Sequence, residues 1–227
     1  MPPPAAVVHH VADLLGDRLH LMERYAALLA DVGVPRGLVG PREIPRLWER
    51  HILNCAAVSP LLPARTEVVD VGSGAGLPGL VLAIARPDLH LVLCEPLLRR
   101  SSFLTDAVIT LGLANVQVRR IRAEDMTGSF DAVTARAVAP LERLARWTLP
   151  LLRPGGLLVA LKGESAGREL HAAVPVLEGL GARRWRVREL DAGPGIVPTR
   201  VVVVEAGRPV GQGRSRRPGT AQRRRRA

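Results

Sequence analysis

Residues 67–79 read Glu-Val-Val-Asp-Val-Gly-Ser-Gly-Ala-Gly-Leu-Pro-Gly, and the rest of the chain is organised around them. Val68, Val69 and Val71 form a short β-branched run, the composition of a strand buried on both faces of a parallel sheet. Gly72, Gly74 and Gly76 follow at alternate positions, then Leu77, Pro78 and Gly79. The apolar run over residues 80–85 is long enough for a helix. Strand, glycine turn and helix make the first half of a nucleotide-binding βαβ unit. Glycine is needed where the backbone turns tightly and passes close to a ligand, because no Cβ can intrude. Pro78 suits the first helical turn, where a missing N–H costs nothing.

The spacing selects among nucleotides. A dinucleotide fingerprint, G-x-G-x-x-G, starting at Gly72 requires glycine at position 77, and that residue is Leu77. The pattern G-x-G-x-G fits enzymes that use S-adenosylmethionine better. Gly72, Ser73, Gly74, Gly76 and Leu77 are therefore candidate cofactor-binding residues. A plain glycine turn in an α/β protein would give the same letters, so a second signal is needed. His90 to Cys94 reads as the next strand, and Glu95 ends it, 23 residues beyond Gly72. That is close to the roughly 20-residue offset of the ribose-binding acid in a βαβ unit.

Composition sets the bounds. A chain of 227 residues with 47% hydrophobic content can bury one sizeable core, or one domain with an appendage. No apolar run approaches the ~20 residues of a membrane span. The start, Met-Pro-Pro-Pro-Ala-Ala, lacks the charged and apolar regions of a signal peptide. Cys55 and Cys94 are the only cysteines, and Cys94 falls in a strand expected to be buried. A disulfide is not expected, and the expected compartment is reducing cytoplasm. Two cysteines and six scattered histidines give no metal-site spacing, so no metal is expected. The net charge of +11 is uneven: residues 208–227 hold eight arginines and no acid, and eleven minus eight leaves +3 for residues 1–207. Lys162 is the sole lysine.

Three regions follow. Residues 1–65 read as a helical cap, with helices over 8–32, divisible at Gly16, and over 44–58. Residues 66–207 read as the cofactor-binding body. After Glu95 come an amphipathic helix over 97–111, a strand over 116–121, a polar turn at 122–125 and a strand over 130–135. A helix over 141–152, stopped by Pro154-Gly155-Gly156, leads to a strand over 157–161 and a helix over 165–180. Strands over 184–190 and 200–205 close the body as an antiparallel pair. The predicted fold class is α/β: a Rossmann-like, seven-stranded methyltransferase fold with helices on both faces and an N-terminal helical cap. Ligand is expected beyond the C-terminal strand ends, beside the glycine loop. The tail, residues 208–227, is Gly-, Pro-, Ser- and Arg-rich and is expected to be disordered and to attract phosphate without reading sequence.

Several stretches together resemble a known family. They are Trp48-Glu-Arg-His-Ile52, residues 70–79, Glu95 with Phe103-Leu104, Arg122-Ala-Glu124, Phe130-Asp-Ala-Val-Thr-Ala-Arg-Ala-Val138 and Lys162-Gly163. In this order they are similar to the bacterial 16S rRNA guanine-N7 methyltransferases, the glucose-inhibited division protein B family. The resemblance implies methyl transfer from S-adenosylmethionine to N7 of a guanine of 16S rRNA, position 527 in the 530 loop. The expected partner is 16S rRNA or a small-subunit particle. Three departures stand out: residues 37–40 replace a common Asn-Leu-Thr, Arg99 and Arg100 stand where lysines are common, and Leu77 replaces a phenylalanine.

Guanine N7 carries a lone pair and no proton, so attack on a sulfonium methyl needs alignment rather than a general base. Arg136 is the candidate catalytic residue. It follows the fourth strand, across the crevice from Gly72, and its guanidinium can donate to guanine O6 or to phosphate; donation to N7 would occupy the nucleophile. Arg50 and His51 can reach phosphate or the flipped base, with a helix-capping histidine as the alternative reading. Arg100, near the nucleotide site, and Lys162, at a strand end, complete the substrate-binding candidates. Ala123 and Glu124 are expected to flank the adenine. Two other classes remain open on residues alone: a methyltransferase acting on a small molecule or protein, and a non-catalytic RNA-binding relative.

Overall fold

The computed structural model describes residues 1–207; the arginine-rich tail lies outside the described residues. Strand β1 (Glu67–Val71) is the centre of the sheet, and its residues after Glu67 are buried. Val68 packs on one face, while Val69 and Val71 pack on the other. Burial on both faces is what the β-branched run dictates. Strands β2 (His90–Cys94), β3 (Val116–Arg119), β4 (Phe130–Arg136) and β5 (Leu152–Leu161) join β1 in parallel. Strands β6 (Ala182–Leu190) and β7 (Thr199–Ala206) pair antiparallel, and β7 also pairs antiparallel with β5. The order is β3-β2-β1-β4-β5-β7-β6, so the chain's last strand is inserted and β6 is the edge.

Helices cover both faces. Helices α1 (Val8–Leu15), α2 (Leu19–Leu28) and α3 (Leu53–Ala56) form the cap. Helices α4 (Gly79–Ala85) and α5 (Leu98–Leu111) share a buried apolar cluster with it. Helices α6 (Leu141–Thr148) and α7 (Ala166–Gly179) pack on the opposite face. The cap is thus fused to the body through one core. Tyr25, fully buried in α2, donates its hydroxyl to the carbonyl of Ala75 in the glycine loop at 2.8 Å. Burial pushes its phenol well above the usual value, which keeps it a donor.

Several expected boundaries move. The first helix divides at Gly16 (φ +49°), as its glycine allows. The 44–58 segment is less regular: a 3-10 turn (Pro41–Arg46), a π-helical turn (Leu47–Ile52) and then α3. Pro78 caps α4 rather than lying within it. The third strand stops at Arg119. The helix expected over 141–152 ends at Thr148, and Pro154-Gly155-Gly156 lies within β5 instead of before it. A register shift between Phe130 and Ala132 of β4 accommodates those three residues, and a Cβ on Gly156 would stand 3.0 Å from the Asp131 carbonyl oxygen. Gly and Pro tolerated at such an irregularity read as breakers in the sequence.

The glycine loop is held by a residue the motif leaves unremarked. Asp70 is completely buried. Its Oδ1 accepts from the Thr134 hydroxyl of β4 at 2.9 Å, and its Oδ2 accepts from the Gly79 N–H at 3.1 Å. One carboxyl therefore ties β1, β4 and the start of α4 together. Burial pushes it up to about 6, against the downward pull of these donors. Gly79 has no room for a side chain, since a Cβ there would collide with Leu93 and with the Asp70 carboxyl. Replacing Asp70 by alanine strands two buried donors, each costing about 1–3 kcal/mol. Urea denaturation of Asp70→Ala is expected to show a loss in that range or above it; unchanged stability would mean that the loop is held elsewhere.

Candidate active site

Two adjoining cavities open beyond the C-terminal ends of the parallel strands. The smaller, about 340 Å³, is lined by Gly72, Glu95, Leu97, Arg100, the Arg122–Glu124 turn and Trp147, among others. The larger, about 810 Å³, is lined by Arg50, His51, Arg136, Lys162 and Gly163, with the segment 195–200 on its far side. Ala137 and Val138 border both. Ala137 holds a left-handed backbone (φ 54°), rare for alanine, at the point where β4 gives way to the shared wall.

The expected cofactor residues divide into two sets. Gly72, Glu95, Ala123 and Glu124 line the smaller cavity. Ser73, Gly74, Gly76 and Leu77 do not, and each has a local task. Ser73 is buried and donates to the Asp70 carbonyl at 2.8 Å. Gly74 donates its N–H to Glu95 Oε2 at 3.0 Å. Gly76 leaves room for Leu80, and a Cβ on it would also stand 3.0 Å from the Tyr25 hydroxyl. Leu77 packs against the cap-side core. Glu95 is buried; its Oε1 accepts from the Leu97 N–H at 3.0 Å, so the carboxylate is fixed by backbone donors on both sides. Gly72 (φ +69°) has no room for a Cβ, which would lie 2.7 Å from Val138.

The larger cavity is organised by Arg136, at the end of β4. Its Nη1 donates to Cys55 Sγ at 3.3 Å, and its Nη2 approaches His51 Nδ1. His51 Nε2 meets Glu43 Oε2 at 2.8 Å. A guanidinium can only donate, so His51 Nδ1 must accept and its proton sits on Nε2, directed at Glu43. Burial and then Arg136 hold the imidazole below its ordinary value of 6.5, with Glu43 opposing. The hydrogen bond from His51 holds Glu43 below the usual carboxylate range. Cys55 is pushed up to about 11 by burial and stays a thiol. Arg50 sits at the rim, 3.6 Å from Glu43.

Arg100 stands near the nucleotide site and Lys162 at the end of β5, where their sequence positions put them. Arg100 faces the smaller cavity, away from His51 and Arg136. Lys162 borders the larger one, but its side chain is only 8% exposed and pairs with Glu169 at 2.8 Å. Its ammonium also donates to the Ala139 carbonyl, so its charge is met internally. Three residues were missed from the sequence. Asp70 acts through Thr134, 64 residues away, and Glu43 through His51, a neighbour that no motif spacing marks. Trp147 forms one wall of the smaller cavity, with the Arg143 guanidinium 4.6 Å from its ring centre. An amphipathic tryptophan at the end of α6 was its only signal. Among the described residues no cluster of side chains is arranged to hold a metal.

Comparison with known proteins supplies the identity. The family model described as rRNA small subunit methyltransferase G matches residues 18–194. The chain belongs to that family. It is 54% identical over 206 residues to a Streptomyces coelicolor protein named ribosomal RNA small subunit methyltransferase G, covering 88% of this chain and 85% of the relative. A Thermobifida fusca protein of the same name is 61% identical over 163 residues, covering 71% and 69%. Among solved structures, a SAM-dependent O-methyltransferase from Thermotoga maritima aligns with a TM-score of 0.55 at 16% identity, covering 73% of this chain and 70% of that one. TYW2 from M. jannaschii in complex with AdoMet aligns with a TM-score of 0.53 at 19% identity, covering 68% and 74%. These two likenesses concern the fold, the seven-stranded Rossmann-like methyltransferase fold. Family membership makes the chain an rRNA methyltransferase that uses S-adenosylmethionine.

The arrangement around His51 has a direct spectroscopic consequence. NMR titration of the imidazole is expected to give a midpoint below 6.5, and Arg136→Gln is expected to move it upward by removing an opposing charge. A midpoint at or above 6.5 in the unaltered protein would contradict the geometry.

Proposed function

We propose that the protein transfers a methyl group from S-adenosylmethionine to N7 of a guanine in the 530 loop of 16S rRNA, position 527, in the cytoplasm. The single observation that carries this reading is the shared wall at Ala137-Val138. It lets a cofactor cavity and a larger basic cleft meet at one point, as direct transfer between two substrates requires.

The smaller cavity suits the cofactor. Glu95 offers a fixed carboxylate for ribose hydroxyls, and Gly72 presents bare backbone at the cavity wall. The 122–124 turn and Trp147 offer an edge and an apolar face for an adenine ring. S-adenosylmethionine supplies an electrophilic methyl on sulfur. Everything else is positioning, a contribution on the order of 7–11 kcal/mol at best.

The cleft suits a flipped guanine. N7 attacks with its own lone pair, so no residue has to remove a proton. His51 fits that demand: its Nδ1 is occupied by Arg136 and its Nε2 by Glu43, so it holds Arg136 in place. Arg136 spends part of its fork on Cys55 and His51, and its remaining N–H groups can donate to guanine O6. Contact with N7 itself would compete with the reaction. Arg50, at the rim, is placed for phosphate. Arg100 is placed nearer the cofactor than the guanine.

Arg136→Ala is expected to retain S-adenosylmethionine affinity within about threefold, by calorimetry, and to lower methyl transfer to 16S rRNA by at least 100-fold. That ratio corresponds to about 2.7 kcal/mol. Near-normal turnover would show that Arg136 serves only to join the cap to the sheet.

A further inference from the structure

The edge strand β6 carries charge that the two cavities do not use. Its sequence is Ala-Arg-Arg-Trp-Arg-Val-Arg-Glu-Leu over residues 182–190. Arg184, Arg186 and Arg188 stand at alternate positions, opposite Glu205, Val203 and Val201 of β7. Alternate residues of a strand share a face and are about 6.6–6.8 Å apart. The three guanidiniums therefore form a row on the face that also carries the cap, since Val201 and Val203 belong to the cap-side core. Arg184 and Arg186 are exposed and line a groove of about 470 Å³ with Trp185 and Leu157. Among the described residues, none of the three takes part in an ion pair, whereas neighbouring Arg183 pairs with Glu205 at 3.3 Å.

The row is continuous with the cleft. Two residues beyond Arg188, Leu190 pairs with Thr199. Thr199 borders the cleft and donates its hydroxyl to Asn54 Oδ1 of the cap at 2.8 Å. A polyanion leaving the cleft past Asn54 and Thr199 meets Arg188, then Arg186, then Arg184.

We infer that this arginine row is a second RNA-backbone surface, which holds phosphates of the strand flanking the methylated guanine; the inference rests on the rRNA reading above. A row of unpaired guanidiniums at every second residue fits a chain of evenly spaced anions. A second copy of this chain is the other occupant an open edge invites, and here it is disfavoured. Pairing two β6 edges would bring like charges together. The row gives affinity and orientation but reads no base.

The test uses the full chain in two triple variants, Arg184→Gln/Arg186→Gln/Arg188→Gln and the corresponding Lys triple. Affinity for deproteinised 16S rRNA is measured across a salt series, together with S-adenosylmethionine affinity, sedimentation and the kinetics of methyl transfer. Each lost phosphate contact lowers the slope of log affinity against log salt by about 0.7–0.9. The Gln triple is expected to lose about 2 from the slope and on the order of 100-fold in affinity at 0.1 M salt. Its KM for rRNA should rise while kcat and S-adenosylmethionine affinity hold. The Lys triple should keep most of the slope, which excludes misfolding of the edge as the cause. An unchanged slope and KM in the Gln triple would overturn the inference. So would a Gln triple that self-associates with an unaltered slope, since the arginines would then only guard the edge. A wild-type protein that binds rRNA with a slope sensitive to the row but methylates no guanine in it would sink the functional reading and leave the row standing.

Discussion

Everything near the active site depends on one buried carboxyl. Asp70 accepts from Thr134 on the neighbouring strand and from the first N–H of α4. Its burial opposes ionisation, and the donors around it oppose burial's effect. A carboxyl in this position is stable only when its partners are exact in place. The glycine loop between Asp70 and Gly79 inherits that order. Tyr25 adds a second fixed point from the cap, and Glu95 a third from the next strand. The loop is thus held from three sides before any ligand arrives, which is the preorganisation an alignment reaction needs.

Arg136 plays the corresponding part for the cleft. It stands on the sheet but spends its donors on Cys55 and His51 of the cap. The cap therefore forms one wall of the cleft and is not an appendage to the body. The irregular π-helical turn at Leu47–Ile52 belongs to the same logic, because it carries Arg50 and His51 toward the sheet. A histidine held neutral between an arginine and a glutamate is poorly placed to be a base. That agrees with chemistry at an atom that has no proton to lose.

Much of this was legible in the sequence, and the reason is locality. The loop, the strand before it and Glu95 lie within one βαβ unit, where spacing maps directly onto geometry. The seven strands and the closing antiparallel pair were legible through β-branched runs and breakers. What escaped depends on through-space partners. Asp70 gains its role from Thr134, 64 residues away, and Arg136 from His51, 85 residues away. The partner of Lys162, Glu169 one helix turn into α7, was likewise not legible from the strand-end position of the lysine. The internal contacts of Ser73, Gly74 and Gly76, which shape the loop, could not be read from the glycine spacing. Pro154-Gly155-Gly156 misled because breakers and bulge residues share one composition.

The central claim is that the two cavities meet so that one guanine of small-subunit rRNA accepts a methyl group. Incubating the full-length protein with 16S rRNA and isotopically labelled S-adenosylmethionine, then mapping the label by nuclease digestion and mass spectrometry, tests it most directly. The account calls for a single 7-methylguanine, in the 530 loop. Label on another base, on guanine away from N7, or on ribosomal protein instead of rRNA would contradict it.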